Sequence, residues 1–321
     1  MNWLYPRSTL QIEPTRRCNL NCKICMRPSL DETSALLSLE DFKKIFASSF
    51  CLRHIALHGW GEPLLNPQLF QMVKYAESQG ISTEVTTNAT LLQTNTERIF
   101  ASGLSNIVFG IHNKENLPVI MPQIGELIAQ RSMERSRKPK AYIDIVIYHG
   151  NQNHIADIIE AAAEVSIDTV VLHRVFDIRQ SGPETGYISV QDEKMLFARV
   201  KNLARKLKLK LYLPPEPSIP CRAIKQSLFV TCEGKITPCP YLPGLCLGGA
   251  LNGGLKEVIS SDRYRGFVKN MKNHPVCSKC PLGSTSGNFY TSGSGLNMCF
   301  EVNSRKIPCA QNHIHNKVAG L

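Results

Sequence analysis

The sequence predicts an α/β fold in which six strand–helix units form an open parallel sheet and a small α+β domain follows. Up to about residue 178, short runs rich in Ile, Val and Leu alternate with helical patterns. Strands joined in this way lie parallel, with the helices outside. Six units are too few for a closed eight-unit barrel, so the sheet should be open. Beyond residue 220 the pattern changes to a hairpin, a helix and closely spaced cysteines.

Each unit is predicted from a short apolar run that ends in a polar turn and precedes a helical pattern. Ser38, followed by two acidic residues, marks the start of the first helix. The predicted strands cover 9–13, 54–59, 81–87, 105–111, 141–148 and 168–175. The predicted helices cover 39–48, 67–79, 92–101, 123–135 and 153–164.

The rest of the chain predicts a connector, a second domain and a tail. A basic amphipathic helix over 191–208 precedes a proline-rich run at 214–217, which marks a domain boundary. Hairpin strands at 227–232 and 235–239 and a helix near 255–270 form the second domain. The expected parts are a six-unit sheet with its connector over 1–215, an α+β domain over 216–284 and a Ser/Gly-rich tail over 285–321, either a lid or disordered.

Composition narrows the function classes. The 321 residues are 43% hydrophobic, with no bilayer-spanning run and no signal peptide, so we expect a cytoplasmic protein. Twelve cysteines in a reducing compartment favour metal or catalytic roles over disulfides. The net charge of +11 is scattered and lacks interleaved aromatic residues, which makes nucleic acid an unfavoured partner. It suits an acidic electron donor, such as flavodoxin or ferredoxin, or an anionic substrate.

Three cysteines directly after the first predicted strand carry most of the functional information: Cys18, Cys22 and Cys25. Three thiolates leave one corner of a four-iron cluster open to an outside ligand. By themselves they could also bind zinc with a fourth ligand from elsewhere in the chain.

Two further segments follow the second and third predicted strands. Gly59-Trp60-Gly61-Glu62-Pro63 combines glycines, which allow close backbone approach, with a carboxylate that can pair with an ammonium group. The third strand ends in Thr87-Asn88, which Ala89 follows. Parallel strands bind ligands at their carboxyl ends, so all three segments should meet at one edge.

In this order and spacing, the three segments resemble the radical S-adenosylmethionine (SAM) superfamily and its partial (β/α)6 barrel. Trp60 replaces the first glycine of the family's Gly-Gly-Glu-Pro turn, and Ala89 replaces the glycine of its Thr-Asn-Gly segment. The resemblance implies that the cysteines hold a [4Fe-4S] cluster that binds SAM. It also implies SAM-binding roles for Gly59, Gly61, Glu62, Pro63, Thr87, Asn88, and the strand-end residues His112 and Tyr148.

The second cysteine group resembles the SPASM and twitch auxiliary-cluster domains of these enzymes. The resemblance implies one auxiliary [4Fe-4S] cluster held by Cys221, Cys239, Cys277 and Cys280, although zinc could use the same four residues. Five further cysteines are left over. We expect Cys51 to lie in the core, while Cys232, Cys246, Cys299 and Cys309 could ligate a second auxiliary cluster or donate hydrogen.

The resemblance implies an enzyme that cleaves SAM reductively and removes hydrogen from a small polar substrate such as a sugar, cyclitol or nucleoside. Dehydrogenation, with the auxiliary cluster accepting an electron, is the favoured outcome. Cys246, Cys299 and Arg174 are the candidate catalytic residues, and the two thiols would serve as hydrogen donors if the enzyme were an epimerase instead. A peptide-modifying enzyme, or a non-enzymatic iron–sulfur or zinc protein, would also be compatible with these motifs.

Overall fold

The computed structural model describes residues 9–30, 34–49, 52–178, 182–214, 221, 224 and 227–280. The predicted tail over 285–321 lies outside these residues, as do Cys51, Cys299 and Cys309.

The described residues form one open sheet of ten strands, in the order β10-β9-β8-β1-β2-β3-β4-β5-β6-β7. Neighbours from β8 through β1 to β7 pair in parallel, and β8, β9 and β10 pair antiparallel. The strands are β1 Thr9–Ile12, β2 His54–Leu57, β3 Ser82–Thr87, β4 Asn106–Gly110, β5 Lys140–Ile147, β6 Thr169–Arg174, β7 Leu211–Tyr212, β8 Ser227–Val230, β9 Lys235–Thr237 and β10 Gly248–Gly249. The predicted open parallel α/β sheet is therefore confirmed.

Helices connect the parallel strands, as the pattern predicted. Ser38 caps the first of them, since its hydroxyl accepts the amide of Asp41 at 3.0 Å. The helices are α1 Leu39–Ala47, α2 Leu69–Ser78, α3 Thr96–Ser102, α4 Leu117–Met133, α5 Ile155–Glu164, α6 Val190–Lys206, α7 Gly254–Ser260 and α8 Asp262–Asn270. None of the described helices is long and apolar enough to cross a membrane.

The structure differs from the expected elements in two places. The single helix predicted near 255–270 is split, because Ser261 is extended and its hydroxyl accepts the amide of Tyr264 at 3.1 Å to start α8. The C-terminal hairpin also joins the main sheet, since β8 lies alongside β1 with Ile12 opposite Val230. The cysteine-rich second region is thereby fixed to the strand that leads into Cys18.

The two faces of the parallel strands differ in chemistry. Alternate residues such as Leu10 and Ile12 are fully buried in the apolar core that the helices cover. The opposite, inner face is polar: the Gln11 amide donates to the His58 carbonyl at 3.2 Å, and Glu84 lies beside His58. The sheet therefore encloses a polar lumen below the edge where the three motifs meet.

Candidate active site

The carboxyl ends of β1 to β5 surround a cavity of about 170 Å³. Cys18 and Cys22 line it. Seven of the eight predicted SAM-binding residues line it as well: Gly59, Gly61, Glu62, Thr87, Asn88, His112 and Tyr148. Pro63, the eighth, is buried at the start of a single helical turn behind the cavity wall. Residues scattered over the sequence thus meet in one space next to two of the three motif cysteines.

The cysteine loop presents its sulfur atoms to backbone amides. The Leu20 amide donates to Cys18 Sγ and the Arg27 amide to Cys25 Sγ, each at 3.4 Å. Burial raises the pKa of Cys22, and the neighbouring Cys25 and Cys18 thiolates raise it further. A Cys22 thiol whose ionisation is opposed by two neighbouring thiolates fits a bound positive group, as iron would be.

The Gly-Trp-Gly-Glu-Pro turn is packed directly against the chain that leads into the cysteine loop. A Cβ atom on Gly61 would lie 2.2 Å from the Thr15 carbonyl oxygen and 2.6 Å from that of Arg17. The Glu62 amide donates to the same Arg17 carbonyl at 2.8 Å. Only glycine fits here, so this turn fixes the backbone just before Cys18.

Glu62 joins the second motif to the third. Its carboxylate is buried and accepts the Thr87 hydroxyl at 2.7 Å, the Asn88 amide at 2.8 Å and the Leu64 amide at 3.0 Å. Burial raises the pKa of Glu62, although these three hydrogen bonds oppose that shift. The carboxylate therefore organises the cavity wall and leaves little capacity for further donors.

Asn88 connects this wall back to the cysteine loop. The side-chain amide nitrogen of Asn88 donates to Asn19 Oδ1 at 2.9 Å and lies 3.9 Å from Cys18 Sγ. Ala89 follows with φ of 64°, a left-handed conformation that favours glycine. This geometry explains why a glycine suits the position, and Ala89 tolerates it here while fully buried.

His112 and Tyr148 close the far side of the cavity. Burial lowers the pKa of His112, and its Nδ1 accepts the Val146 amide at 3.2 Å, which leaves Nε2 to carry the proton of the neutral ring. The Tyr148 hydroxyl contacts Asn113 Oδ1. His112 thus keeps its Nε2–H as a donor for a ligand, whereas the hydroxyl hydrogen of Tyr148 is already donated to Asn113.

A charged pair lies on the inner face of the sheet near this cavity. His173 Nε2 is 3.0 Å from Asp144 Oδ1, and the two side chains are 15% and 20% exposed. Burial lowers the pKa of His173, but the charge of Asp144 and the hydrogen bond to it together outweigh burial and raise the pKa. Burial would raise the pKa of Asp144, but its interactions with His173, together with the charges of His112 and His58, lower it. The pair does not line the cavity itself, and it lies within electrostatic reach of His112, which does.

Arg174, a predicted catalytic residue, faces the opposite side. It is buried and makes two hydrogen bonds to the Glu193 carboxylate of α6, at 2.6 and 3.0 Å, and a third to Tyr187. Consecutive strand residues face opposite sides, so His173 points into the lumen and Arg174 toward the helices. Arg174 does not line the cavity, and its contacts indicate a structural role.

Neither of the described cysteines that could donate hydrogen, Cys232 and Cys246, lines the cavity. Cys246 donates to the Gly248 carbonyl at 3.4 Å in the β9–β10 region, and it does not line the cavity. Cys299 lies outside the described residues. Burial raises the pKa of Cys232 to about 12, with the neighbouring Glu13 adding to the shift, which keeps this thiol protonated.

The four predicted auxiliary ligands lie within electrostatic reach of one another, although no three Cys, His, Asp or Glu side chains of the described residues are arranged as ligands of one metal ion. Burial raises the pKa of Cys239, and the thiolates of Cys280, Cys221 and Cys277 raise it further. These residues come from the segment before β8, the end of β9 and the turn after α8, so only the fold assembles them. A set of four mutually repelling thiolates fits a fully ligated cluster.

Sequence reasoning missed two residues of the site, Glu13 and Tyr241. Glu13, fully buried after β1, accepts the Trp60 amide at 3.0 Å and the Arg16 guanidinium at 3.1 Å. Burial raises the pKa of Tyr241, and the charges of Cys280, Cys239, Asp144 and Cys25 add to the shift, so Tyr241 lies within electrostatic reach of both cysteine sets. A carboxylate directly after an apolar strand was the signal for Glu13.

Comparisons with known proteins agree with this geometry. The radical SAM superfamily matches residues 12–176, and the SPASM iron–sulfur cluster-binding domain matches residues 221–281. The second match indicates an iron–sulfur cluster in the cysteine-rich second region, where zinc was the alternative.

Two curated proteins resemble most of the chain. The tungsten-containing aldehyde ferredoxin oxidoreductase cofactor-modifying protein of Pyrococcus furiosus is 23% identical over 312 residues, 85% of this chain and 87% of that protein. The AdoMet-dependent heme synthase of Methanosarcina barkeri is 23% identical over 270 residues, 73% of this chain and 76% of that protein. Among solved structures, Streptococcus suis SuiB bound to S-adenosylmethionine superposes with a TM-score of 0.67 at 17% identity, covering 86% of this chain and 72% of SuiB.

Proposed function

This chain belongs to the radical SAM superfamily and carries a SPASM domain, and on that premise we propose that it dehydrogenates a small polar substrate. Its cofactors are SAM, a SAM-binding [4Fe-4S] cluster and an auxiliary cluster. When bound, the first cluster supplies the electron that cleaves SAM and starts hydrogen abstraction, and the auxiliary cluster supplies an electron acceptor.

Different described residues would hold each cluster and SAM. Cys18, Cys22 and Cys25 would hold the first cluster, and Cys221, Cys239, Cys277 and Cys280 the second. The backbone of Gly59–Pro63 and the Asn88 side chain would position SAM in the cavity, with Glu62 fixing the two segments relative to each other. On the opposite wall, His112 offers a donor and the Tyr148 hydroxyl oxygen an acceptor.

The Asp144–His173 pair is the observation that carries the substrate class. The two side chains, 3.0 Å apart, do not line the cavity but lie within electrostatic reach of His112, which does, and a site backed by such charges would bind hydroxyl, amine or carbonyl groups and would disfavour an apolar molecule. This supports a sugar, cyclitol, nucleoside or polar cofactor as substrate. The Pyrococcus relative, a cofactor-modifying protein that matches most of both chains, adds support for a small molecule.

Among the described residues, the position of the thiols favours dehydrogenation over epimerisation. An epimerase needs a hydrogen donor beside the substrate; of the two candidate donors, Cys246 does not line the cavity and Cys299 lies outside the described residues. A complete set of four auxiliary thiolates instead suits electron transfer. The net charge of +11 supports an acidic reductant such as flavodoxin or ferredoxin.

The test is hydrogen transfer from a labelled substrate. Anaerobically reconstituted protein would be incubated with SAM, dithionite and a panel of deuterated sugars, cyclitols and nucleosides, with Cys22→Ala as control. The proposal predicts deuterium in 5′-deoxyadenosine and a product that lacks two hydrogen atoms. A product that has exchanged one deuterium for a solvent hydrogen and has lost no other atom would establish the epimerase instead, and transfer from a peptide alone would contradict the substrate class.

A further inference from the structure

Trp60 occupies the SAM-binding turn, yet its side chain reaches into the second cysteine region. The indole Nε1 donates to the Pro240 carbonyl at 2.9 Å, and the ring packs edge-to-face on Tyr241 at 5.3 Å between centroids. Pro240 and Tyr241 directly follow Cys239 in the sequence. Gly59 and Gly61 line the cavity and Trp60 does not. The residue therefore connects the turn to the backbone of a proposed auxiliary ligand.

The other end of this connection has little freedom to move. The Trp60 amide donates to Glu13 Oε1 at 3.0 Å, and Glu13 Oε2 accepts the Cys232 amide at 3.3 Å. A Cβ atom on Gly59 would lie 2.6 Å from the Glu13 side chain, so the turn is packed closely on both sides of Trp60. A displacement of Trp60 would therefore pass to the backbone that lines the SAM cavity.

We propose that Trp60 is a positioning residue that couples the auxiliary-cluster site to the SAM site. An ordered Cys239–Tyr241 segment holds the indole, and the indole holds the turn in its SAM-binding conformation. Loss of the auxiliary cluster would therefore weaken SAM binding even though no auxiliary ligand lines the SAM cavity. The coupling rests on the proposed ligand set of Cys221, Cys239, Cys277 and Cys280.

The experiment measures SAM affinity from the EPR spectrum of the reduced first cluster, with no substrate present. The variants are Cys277→Ala, Trp60→Phe and the double variant, each with its iron content. Phe267→Leu is the matched control, because Phe267 makes an edge contact at 5.7 Å with His274 in the same domain and lies away from the turn. Trp60→Phe keeps an aromatic ring and removes the N–H donor to Pro240.

We expect Cys277→Ala to lose about four irons and to weaken SAM binding at least about fivefold, a typical coupling between sites. Trp60→Phe should keep about eight irons, weaken SAM binding and change the EPR spectrum of the SAM complex. The double variant should be little weaker than the worse single variant, since both interrupt one connection. Phe267→Leu should bind SAM as the wild type does.

Two results separate the proposals. Loss of the auxiliary iron with SAM affinity within twofold of wild type would overturn the coupling and leave the ligand set intact. Full iron in Cys277→Ala would mean that the three remaining thiolates still hold a cluster, so Cys277→Ala/Cys280→Ala, which leaves two, decides the ligand set: full iron in that variant would refute it. In that case, or if Cys277→Ala fails to fold, Trp60→Phe tests the positioning role alone. Unchanged SAM affinity in Trp60→Phe would overturn that role.

Discussion

The contact of Gly61 with the chain before Cys18 leads to a quantitative prediction for Gly61→Ala. The added Cβ would lie 2.2 Å from the Thr15 carbonyl oxygen, about 1.2 Å short of ordinary contact at 3.4 Å. The obstructing atoms belong to the backbone of residues 15–17, which no side-chain rotation can move. Overpacking of this kind costs about 3 kcal/mol. The strain falls on the segment that leads directly into the cysteine loop.

Two measurements follow from that cost. At the usual entropy of unfolding per residue, about 3 kcal/mol lowers the melting temperature by about 5 °C. The shifted Arg17–Cys18 backbone should also reduce the iron that the first site retains. Gly266→Ala is the matched control, because a Cβ on Gly266 meets nothing within 4 Å. It lies inside α8, so alanine there should stabilise the protein by about 0.5 kcal/mol.

Thermal unfolding by circular dichroism under anaerobic conditions, with iron analysis, would check both variants. A melting temperature within about 1 °C of wild type for Gly61→Ala, with full iron, would refute the reasoning that this turn fixes the cysteine loop.

Three other predictions concern Arg174, the Asp144–His173 pair and two cysteines. Arg174→Met should destabilise the protein by about 3 kcal/mol, since it leaves the largely buried Glu193 carboxylate without its cation, while SAM affinity stays unchanged. A large loss of SAM affinity with normal melting would show that the role of Arg174 is not structural. Because the Asp144 charge raises the pKa of His173 above its ordinary 6.5, the pair should stabilise the fold below pH 6.5 and lose that contribution as pH rises through the folded pKa. The stability difference between wild type and His173→Gln should therefore shrink at alkaline pH in urea titrations, and a difference that grows would contradict the assignment. Cys22→Ala should abolish 5′-deoxyadenosine formation under strong reductant, and Cys246→Ala should keep the rate within about twofold of wild type. The reverse pattern would show that Cys246, and not Cys22, is needed for SAM cleavage.

Residues that act near their own strand ends could be predicted from the sequence. Cys18, Glu62 and Asn88 each follow an apolar run, and parallel strands bring their carboxyl ends to one edge. The order of these motifs therefore located the cavity before any contact was known. The same reasoning fails inside a strand, where neighbours face opposite sides. Arg174 is a candidate from the sequence, and only the structure shows that it pairs with Glu193 of α6 while its neighbour His173 faces the inner side of the sheet and Asp144.

Contacts that span the chain could not be predicted in this way. Trp60 was identified only as a departure from a glycine, and its partner Pro240 lies 180 residues later. The pairing of β8 with β1 likewise brings the second region to the main sheet through backbone hydrogen bonds, which place few demands on residue type. The charge of Glu13 was visible, but its environment depends on both of these contacts.

The central claim is that seven cysteines hold two separate clusters, and iron and sulfide per chain test it most directly. The measurement compares reconstituted wild type with a variant in which Cys18, Cys22 and Cys25 are all replaced by Ala. The account predicts about eight irons in wild type and about four in the variant. About twelve irons falling to about eight would show that further cysteines hold a third cluster. An iron content that does not fall at all in the variant would contradict the assignment of the SAM-binding cluster.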